Sequence, residues 1–391
     1  MFVDFDHDGD LDLFVTGSAK AAGANVLWRN NGNSTFTEWT TPTALVGSGP
    51  TTGAVLSDLN NDRAVDLIVS QTSGAPMTYE NQREGAFKQA ALYTESGMSP
   101  ARGMAIADFN KDGNMDIALT HRGAPGVSLW SNIGSGRFER MALELPGVTA
   151  AWGITPIDFD NDGWIDVAAV VSTARGTELR ILRNLGPAGF KDVSEALGLE
   201  KLDLAGARSV SAVDVDRDGA ADLVIGRVDA VPLVLHNVGG AHNHSLRIGL
   251  TGLADNKSAL GTKLEVFSNG GQQKFEVTGA SGFMGQGPTE IIAGLGTSAD
   301  ADVVRLLWPT GVPQDEVQVA ASKPLVLTEL DRRGSSCPVL FAWDGAKYTF
   351  VSDVIGAGVV GHWMSPTSRN QPDSDEWTKV EGTSCARGTA S

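Results

Sequence analysis

The feature that most constrains the fold of this 391-residue chain is an acidic nine-residue segment that occurs five times. The copies begin at Asp4, Asp58, Asp108, Asp158 and Asp214, and their starts are nearly evenly spaced along the chain. They read DFDHDGDLD, DLNNDRAVD, DFNKDGNMD, DFDNDGWID and DVDRDGAAD. A period of about 50 residues is typical of the four-stranded blade of a β-propeller.

The residues after the acidic segments also support a repeating β fold. Each segment runs directly into a short apolar stretch, which predicts a buried strand. These stretches are residues 13–15, 67–69, 117–119, 167–171 and 223–225. The sequence therefore predicts an all-β chain in which five repeats of a propeller are visible.

A second marker in each repeat is an asparagine that follows the first Asp at a nearly constant distance. Its surroundings usually contain Gly, which predicts a hairpin turn. The five residues are Asn30, Asn81, Asn132, Asn184 and Asn237. Four of these turns are followed by an aromatic residue that we expect to pack between neighbouring blades. These residues are Phe36, Phe87, Phe138 and Phe190.

The acidic pattern DxDxDGxxD has the chemistry of a calcium loop. Carboxylates at positions 1, 3 and 5 of a tight loop can converge on one point, and Gly at position 6 permits the sharp turn. Ca²⁺ takes six to eight oxygen ligands, and the loop adds the carbonyl of position 7 and the Asp at position 9, whereas Mg²⁺ demands stricter octahedral geometry. The pattern therefore predicts four or five bound Ca²⁺ ions. The alternative is a solvated acidic turn without metal, because Asp, Asn and Gly favour turns.

Two other calcium motifs do not fit. An EF-hand needs a bidentate Glu at position 12 and flanking helices, but position 12 is apolar in every copy. The residues there are Val15, Val69, Leu119, Ala169 and Ile225. Tandem β-roll repeats would recur every nine residues, not about every fifty.

On these motifs the chain resembles the FG-GAP/VCBS repeat family, the integrin-α-type propellers with calcium loops between strands. The resemblance implies the following ligands in the four intact loops: Asp4, Asp6, Asp8 and Asp12; Asp108, Asn110, Asp112 and Asp116; Asp158, Asp160, Asp162 and Asp166; Asp214, Asp216, Asp218 and Asp222. It also implies a seven-bladed propeller, of which the five repeats would be part.

The second loop departs from the pattern. It keeps Asp58, Asn60, Asp62 and Asp66, but Arg63 stands where the motif has Gly. This arginine must either adopt a positive φ, which is costly for a residue with a Cβ, or reshape the loop.

From about residue 243 the repeat stops, and short alternating strands with Gly and Asn turns predict a small β-sandwich or barrel. Residues 256–261, 279–287, 294–296 and 304–311 resemble the ASPIC/UnbV domain, which follows VCBS propellers in secreted bacterial proteins and in cartilage acidic protein-like relatives. We therefore predict a propeller over 1–242, an ASPIC/UnbV domain over 243–331 and a β-rich C-terminal segment over 332–391. That segment contains a GxGxxG at 356–361, which we interpret as a glycine-rich turn and not as a dinucleotide site, because nothing helical follows it.

Composition limits the partners and the compartment. The net charge of -17 argues against nucleic acid, which needs clustered Lys and Arg. No apolar run approaches the length of a membrane-spanning helix, which predicts no membrane span. We expect a fragment, because the strand that should precede the first loop is missing and the last residues form no closing strand; a lost signal peptide would then explain why none is visible. Whether Cys337 and Cys385 form a disulfide stays open.

Three functions are compatible with these features. The first is a calcium-stiffened propeller that binds protein or polysaccharide ligands outside the cytoplasm, in the periplasm or at the cell surface, with roles in adhesion or scaffolding. The second is a carbohydrate-active or biosynthetic accessory enzyme, and the third is a purely structural role in an assembly. The sequence contains no GxSxG, HExxH or CxxC, and we predict no catalytic residue and no cofactor besides Ca²⁺. Carboxylates that recur five times at equivalent positions also argue against a unique catalytic pair.

Overall fold

The structure is a computed structural model. It describes residues 1–6, 9–17, 25–40, 45, 49–82, 86–253, 256–279, 283–321, 323–330, 339–343, 348–353, 363–365 and 368–369. The chain packs as two units, Met1–Glu329 and Leu330–Ser391. None of the helices in the described ranges is long and apolar enough to span a membrane.

The N-terminal part of the first unit forms five antiparallel sheets in chain order, which we call blades 1 to 5. Blade 1 contains β1 (Phe2–Val3), β2 (Asp12–Val15), β3 (Val26–Asn30) and β4 (Phe36–Glu38). Blade 2 contains β5 (Thr51–Ser57), β6 (Asp66–Gln71), β7 (Met77–Asn81) and β8 (Phe87–Ala91). Blade 3 contains β9 (Ala101–Ala107), β10 (Asp116–His121), β11 (Val127–Asn132) and β12 (Phe138–Arg140).

Blades 4 and 5 continue the same order of strands. Blade 4 contains β13 (Val148–Ile157), β14 (Asp166–Thr173), β15 (Gly176–Asn184) and β16 (Phe190–Asp192). Blade 5 contains β17 (Ala207–Val213), β18 (Asp222–Arg227) and β19 (Leu233–Leu235). Short 3-10 turns lie at Gly186–Ala188, Leu199–Lys201 and Gly240–His242. The first strands of blades 2 to 5 pack against one another in sequence, β5 on β9, β9 on β13 and β13 on β17, so they form the inner wall of the propeller.

The predicted buried strands lie at the second position of each blade. Every residue of β10 is buried, as are the first six residues of β14. A second strand has a neighbouring strand on each side and a neighbouring blade on each face, so an apolar run can bury both faces. Each Leu or Ile buried in this way contributes about 1.5–3 kcal/mol.

Three of the four predicted inter-blade phenylalanines do pack between blades. The ring of Phe87 lies edge-on to Phe5 of blade 1, and the ring of Phe190 lies edge-on to Phe109 of blade 3. Phe138 packs on a core cluster that includes residues of blade 2. Phe36 does not follow the prediction and is 45% exposed.

One further prediction is wrong. The strand expected to be missing before the first acidic loop is present as β1, whose two residues pair with β2 in the register Phe2 to Leu13 and Val3 to Asp12. A two-residue strand has no length from which a sequence pattern could be recognised.

The rest of the first unit is a two-sheet β-sandwich, which we call the sandwich. Its strands are β20 (His244–Thr251), β21 (Lys263–Ser268), β22 (Gly271–Glu276), β23 (Ile291–Gly296), β24 (Asp300–Leu307), β25 (Pro313–Ala320) and β26 (Leu325–Thr328). The sheets have the orders β23-β20-β26, in which β20 and β26 are parallel, and β22-β21-β24-β25. Side chains of both sheets meet around the buried Trp308. The all-β propeller with a C-terminal sandwich is thus confirmed.

The second unit is described only in part. Within it, β27 (Val339–Trp343) pairs with β28 (Tyr348–Asp353), and β29 (Trp363–Ser365) pairs with β30 (Ser368–Arg369). The GxGxxG at 356–361 and both cysteines lie outside the described residues. The predicted domain boundaries at residues 242 and 331 and the seven-bladed ring stay predictions.

Candidate metal centres

The five acidic segments form equivalent loops between the first and second strands of their blades, and we call them loops 1 to 5. In every loop the Asp at position 9 is the first residue of the second strand and is buried. Since all five loops connect the same two strands, they lie at the same end of the propeller. The sequence repeat therefore becomes a row of acidic turns on one face.

Backbone N–H groups hold the first and fifth carboxylates of loops 2 to 5, as loop 4 illustrates. Asp158 Oδ1 and Oδ2 accept hydrogen bonds from the N–H groups of Asp162 and Gly163 at 3.1 and 2.8 Å. Asp162 Oδ1 accepts a bond from the N–H of Trp164 at 2.9 Å. Loops 2, 3 and 5 repeat all three bonds. The carboxylates are thus preorganised by the turn itself.

The Asp at position 9 ties the loop to the asparagine that the sequence identified as a hairpin marker. In blade 4, Asp166 accepts bonds from the N–H groups of Phe159 and Asn184 at 3.1 and 2.6 Å. The Asn184 side chain then donates to the carbonyls of Ile165 and of Phe109 in blade 3, at 3.0 and 2.7 Å. Asn132 and Asn237 make the same link to the preceding blade. These asparagines fasten blades together, a role that sequence reasoning missed although their constant spacing marked them.

The carboxylates of three loops converge as a metal site requires. In each group below, one oxygen per residue lies within 4.8 Å of the others. The groups are Asp4, Asp6 and Asp12; Asp158, Asp160 and Asp166; and Asp214, Asp216 and Asp218. The buried Oδ1 atoms of Asp6 and Asp160 have no hydrogen-bond partner. The Oδ2 atoms of the same two residues pair with the guanidinium groups of Arg29 and Arg183, at 2.5 and 2.6 Å. Carboxylate oxygens gathered in this way fit a hard cation such as Ca²⁺, which would compete with these arginines for Asp6 and Asp160.

The remaining predicted ligands are placed differently. In loops 2 and 3 no such group of three forms among the described carboxylates, because position 3 is Asn60 or Asn110. The amide Nδ2 of each donates to the position-5 carboxylate, Asp62 or Asp112, at 3.0 and 3.1 Å. Asp218 joins the loop 5 group in place of Asp222. Asp8 lies outside the described residues.

Arg63 resolves the conformational question that the sequence raised. Its φ is +76°, close to the values of +84°, +87° and +91° at the glycines of loops 3 to 5. Its N–H still donates to Asp58 Oδ2, at 2.7 Å. The loop therefore keeps its shape and carries the strain. Position 4 also has a positive φ, in Asn61, Lys111, Asn161 and Arg217, which the motif did not reveal.

Replacing Arg63 with Gly is expected to raise the free energy of unfolding by about 1 kcal/mol, because Gly adopts a positive φ without a Cβ clash. Chemical denaturation followed by circular dichroism would measure the change. Gly113→Ala is the matched control: its Cβ would meet no atom within 4 Å, so it should lose about the same amount through backbone strain alone. A less stable Arg63→Gly protein would mean that the arginine side chain contributes more than its strain costs.

Burial and crowding raise the pKa of the loop aspartates. Burial, with a smaller contribution from the Asp158 carboxylate, raises the pKa of Asp166 to about 9. Burial and the neighbouring Asp162 raise the pKa of Asp158 to about 7. Burial likewise raises the pKa of Asp116 and Asp66 to about 7 and that of Asp12 to about 6. Without a cation, these buried carboxylates favour the protonated form.

The raised pKa values predict that the metal-free chain becomes less stable as the pH rises. A group whose pKa is higher in the folded than in the unfolded state stabilises the fold most below its ordinary pKa of 3.8 and loses that stabilisation as pH rises through 6 to 9. In EGTA, the Tm should fall by at least roughly 5 °C between pH 5 and pH 9. Calorimetry in Ca²⁺ is the control, because the ion replaces the protons and should remove the fall. An equal fall of the Tm with pH in EGTA and in Ca²⁺ would contradict the prediction.

The sandwich covers loops 2 and 3. At loop 2, Ser57 Oγ donates to Glu276 Oε2 at 2.7 Å, and the Lys263 ammonium contacts Asp58. At loop 3, Lys274 Nζ donates to the carbonyl of Gly113 at 2.7 Å. Loop 2 is the weakest metal candidate of the five, because it combines a lysine against its first ligand with Asn60 at position 3 and Arg63 at position 6.

The sandwich covers loops 4 and 5 as well. The N–H of Gly296 donates to the carbonyl of Asn161 at 2.8 Å, and Asn243 Nδ2 donates to the carbonyl of Asp160 at 2.7 Å. At loop 5, Arg247 Nη1 lies 3.5 Å from Asp214 Oδ2. An ion in either loop would therefore lie beneath the sandwich.

Comparisons with known proteins give two family matches. The model of the FG-GAP-like repeat matches residues 4–69, 58–119 and 158–225, and the model of ASPIC and UnbV matches residues 252–334. No curated protein matches the chain. These matches cover the acidic loops of blades 1, 2, 3, 4 and 5 and most of the sandwich.

Three solved structures share a distant likeness. An Agrocybe aegerita lectin that recognises non-reducing terminal N-acetylglucosamine is 18% identical with a TM-score of 0.40, over 61% of this chain and 67% of the lectin. The exotype rhamnogalacturonan lyase YesX is 12% identical with a TM-score of 0.33, over 84% of this chain and 70% of the lyase. The V. cholerae biofilm matrix protein Bap1 is 13% identical with a TM-score of 0.34, over 82% of this chain and 58% of Bap1. Likeness at this level carries no argument about function.

Proposed function

Because the chain carries FG-GAP-like repeats followed by an ASPIC and UnbV domain, we propose that it is a calcium-binding propeller protein that binds protein or glycan ligands outside the cytoplasm, in adhesion or scaffolding. One observation carries the calcium part. Asp158, Asp160 and Asp166 bring carboxylate oxygens within 4.8 Å of one another, and Asp160 Oδ1 has no hydrogen-bond partner. Arg183 pairs with Asp160 and Asp162, at 2.6 and 3.1 Å, and so offsets part of the negative charge, and a Ca²⁺ ion would offset the rest.

The ions would have a structural role. Each ion would join the first strand, the second strand and the loop of one blade. The side chains of Asn132, Asn184 and Asn237 would then connect the ordered loops to the preceding blades. Loops 1, 3, 4 and 5 are the four candidate sites with an intact motif, and loop 2 is a fifth. An extracytoplasmic location agrees with this role, because structural calcium modules outside cells work at millimolar Ca²⁺.

The alternative of a carbohydrate-active or biosynthetic accessory enzyme has less support. The first, fifth and ninth carboxylates of loop 4 accept backbone N–H bonds, and equivalent carboxylates recur in the other blades. A catalytic acid or base is instead a unique group with a free position facing a substrate. We therefore assign the carboxylates to metal binding and leave ligand binding to other surfaces.

A metal count by mass spectrometry tests the calcium part. The full chain, dialysed against Ca²⁺ and then passed through a desalting column, should retain four or five ions. Asp158→Asn should retain one fewer, because every loop has Asp at this first position. Asp302→Asn, which removes an equal charge from an exposed position of β24, should retain the same number. Retention of no Ca²⁺ would overturn this part.

A ligand screen tests the binding part. We expect immobilised chain to retain at least one glycan or protein from an array in Ca²⁺ and to lose it in EGTA, because the binding surface depends on the ordered propeller. Turnover of a polysaccharide without stable binding would favour the enzyme instead.

A further inference from the structure

The inner strands carry a second repeated position at the end opposite the acidic loops. Six positions before the first Asp of loops 2 to 5 stand Thr52, Arg102, Trp152 and Arg208. They lie on β5, β9, β13 and β17, the four strands that pack side by side as the inner wall. At about 3.3 Å per residue, these side chains are about 20 Å from the loops. They therefore belong to the face that the acidic loops do not occupy.

Both arginines contact the tryptophan. The guanidinium carbons of Arg102 and Arg208 lie 3.6 and 3.9 Å from the centroid of the Trp152 ring. Arg102 Nη1 donates to the carbonyl of Ala151 at 3.0 Å, and Arg208 Nη1 donates to that of Ala207 at 2.7 Å. A guanidinium has five N–H donors, so each arginine is fixed in place with donors to spare.

A third arginine adds its charge. Arg122 follows β10 in the turn at the same end of blade 3 and is exposed. The N–H of Arg122 donates to the carbonyl of Pro100 at 3.0 Å, two residues before Arg102, and the charges of Arg122 and Arg208 add to burial in lowering the pKa of Arg102. In the part of the chain that the structure describes, none of them forms an ion pair with a carboxylate. A protein with a net charge of -17 thus keeps two further cations near Arg102.

Apolar groups border the cluster. The ring centroid of Phe283, from the segment between β22 and β23, lies 6.4 Å from that of Trp152. Met284 beside it is 76% exposed. This segment of the sandwich passes the inner strands, since a Cβ on Gly285 would lie 3.2 Å from the carbonyl oxygen of Val210. Trp152 of the cluster therefore adjoins the half-buried Phe283, which the exposed Met284 follows in the chain.

We propose that Arg102, Arg122 and Arg208 form a binding site for the anionic groups of an acidic polysaccharide. The inference rests on the proposed ligand-binding function and names the class of ligand. Arginine binds carboxylate and sulfate through paired N–H donors, and both groups occur on sugars. A sugar ring also offers an apolar C–H face to Phe283 and Met284, which the side chain of an acidic peptide does not. The site is formed by blades 3 and 5, held in position by Trp152 of blade 4.

Binding of labelled polymers to the Ca²⁺-loaded full chain, followed by fluorescence anisotropy, tests the proposal. The probes are hyaluronate oligosaccharides for carboxylate, dextran sulfate for sulfate, neutral dextran and poly-glutamate. We expect one or both acidic polysaccharides to bind, with weaker binding at higher salt. Arg102→Gln and Arg208→Gln should each reduce the affinity at least tenfold. Arg122→Gln, which alters only an exposed turn, should weaken binding without touching the Trp152 stack.

Arg137→Gln is the matched control, because it removes the same charge from an exposed residue outside the cluster. Its affinity should equal that of the unmodified chain. Equal binding by the Arg122 and Arg137 variants, binding of neutral dextran as strong as that of the acidic polymers, or no binding of either acidic polysaccharide would overturn the site. Preferential binding of poly-glutamate would replace the polysaccharide with an acidic peptide. The metal count and the wider ligand screen are independent of these outcomes, so the proposed function can stand where this inference fails.

Discussion

Chelation with excess EGTA is expected to lower the Tm of the full chain by on the order of 20 °C. A ligand that binds only the folded state, present at one hundred times its Kd, adds about 2.7 kcal/mol, so four ions would add about 11 kcal/mol. Each kcal/mol corresponds to about 2 °C in a unit of this size. The loss should be large because chelation also leaves the carboxylates of loop 4 buried without the ion that would compensate for their lost hydration. Differential scanning calorimetry at pH 7.5 measures the shift.

Two controls make this result specific. Adding Ca²⁺ back in excess of EGTA should restore the original Tm, and an equal concentration of Mg²⁺ should restore much less of it, because Mg²⁺ demands octahedral geometry at shorter distances. An unchanged Tm would contradict the calcium assignment. The acidic segments would then be solvated turns, and a catalytic role for their carboxylates would need to be considered again.

Replacing Gly294 with Val is expected to destabilise the first unit by about 3 kcal/mol or more and to separate the sandwich from loop 4. Gly294 lies in β23, directly against that loop. A Cβ at this position would overlap Asp158 Oδ2 and lie 2.7 and 2.8 Å from the carbonyl carbon and Cα of Asn161. Backbone atoms cannot move aside as a side chain can, so the two parts must move apart. Limited proteolysis and chemical denaturation measure the effect.

Gly249→Ala is the control for this substitution. It lies in β20 of the same sandwich, where a Cβ would meet only Val326 Cγ2, at 4.0 Å. Its stability should stay within about 0.5 kcal/mol of the unmodified chain. A Gly294→Val chain as stable and as protease-resistant as the Gly249→Ala chain would contradict the close packing of the sandwich on loop 4.

The sequence alone was enough to predict the blades and the acidic loops. Both depend on contacts within a single repeat, such as Asp158 with Gly163 and Asp166 with Asn184. Such contacts recur at fixed offsets, so five copies of one motif define their geometry. Local spacing also identified Arg63 as a strained position, and its φ of +76° is the less disruptive of the two outcomes that the motif allowed.

The tertiary structure decided what lies between repeats and between domains. Some contacts join residues of different blades, or of a blade and the sandwich, and the spacing within one repeat does not predict them. Examples are Asn184 with Phe109, Gly294 with Asp158, and Arg102 with Trp152. The aligned repeats do place Thr52, Arg102, Trp152 and Arg208 at one position, but only the packing of four inner strands makes that position a cluster. Periodicity reports local backbone geometry, whereas the coverage of the loops by the sandwich depends on shape and charge complementarity between surfaces that are distant in sequence.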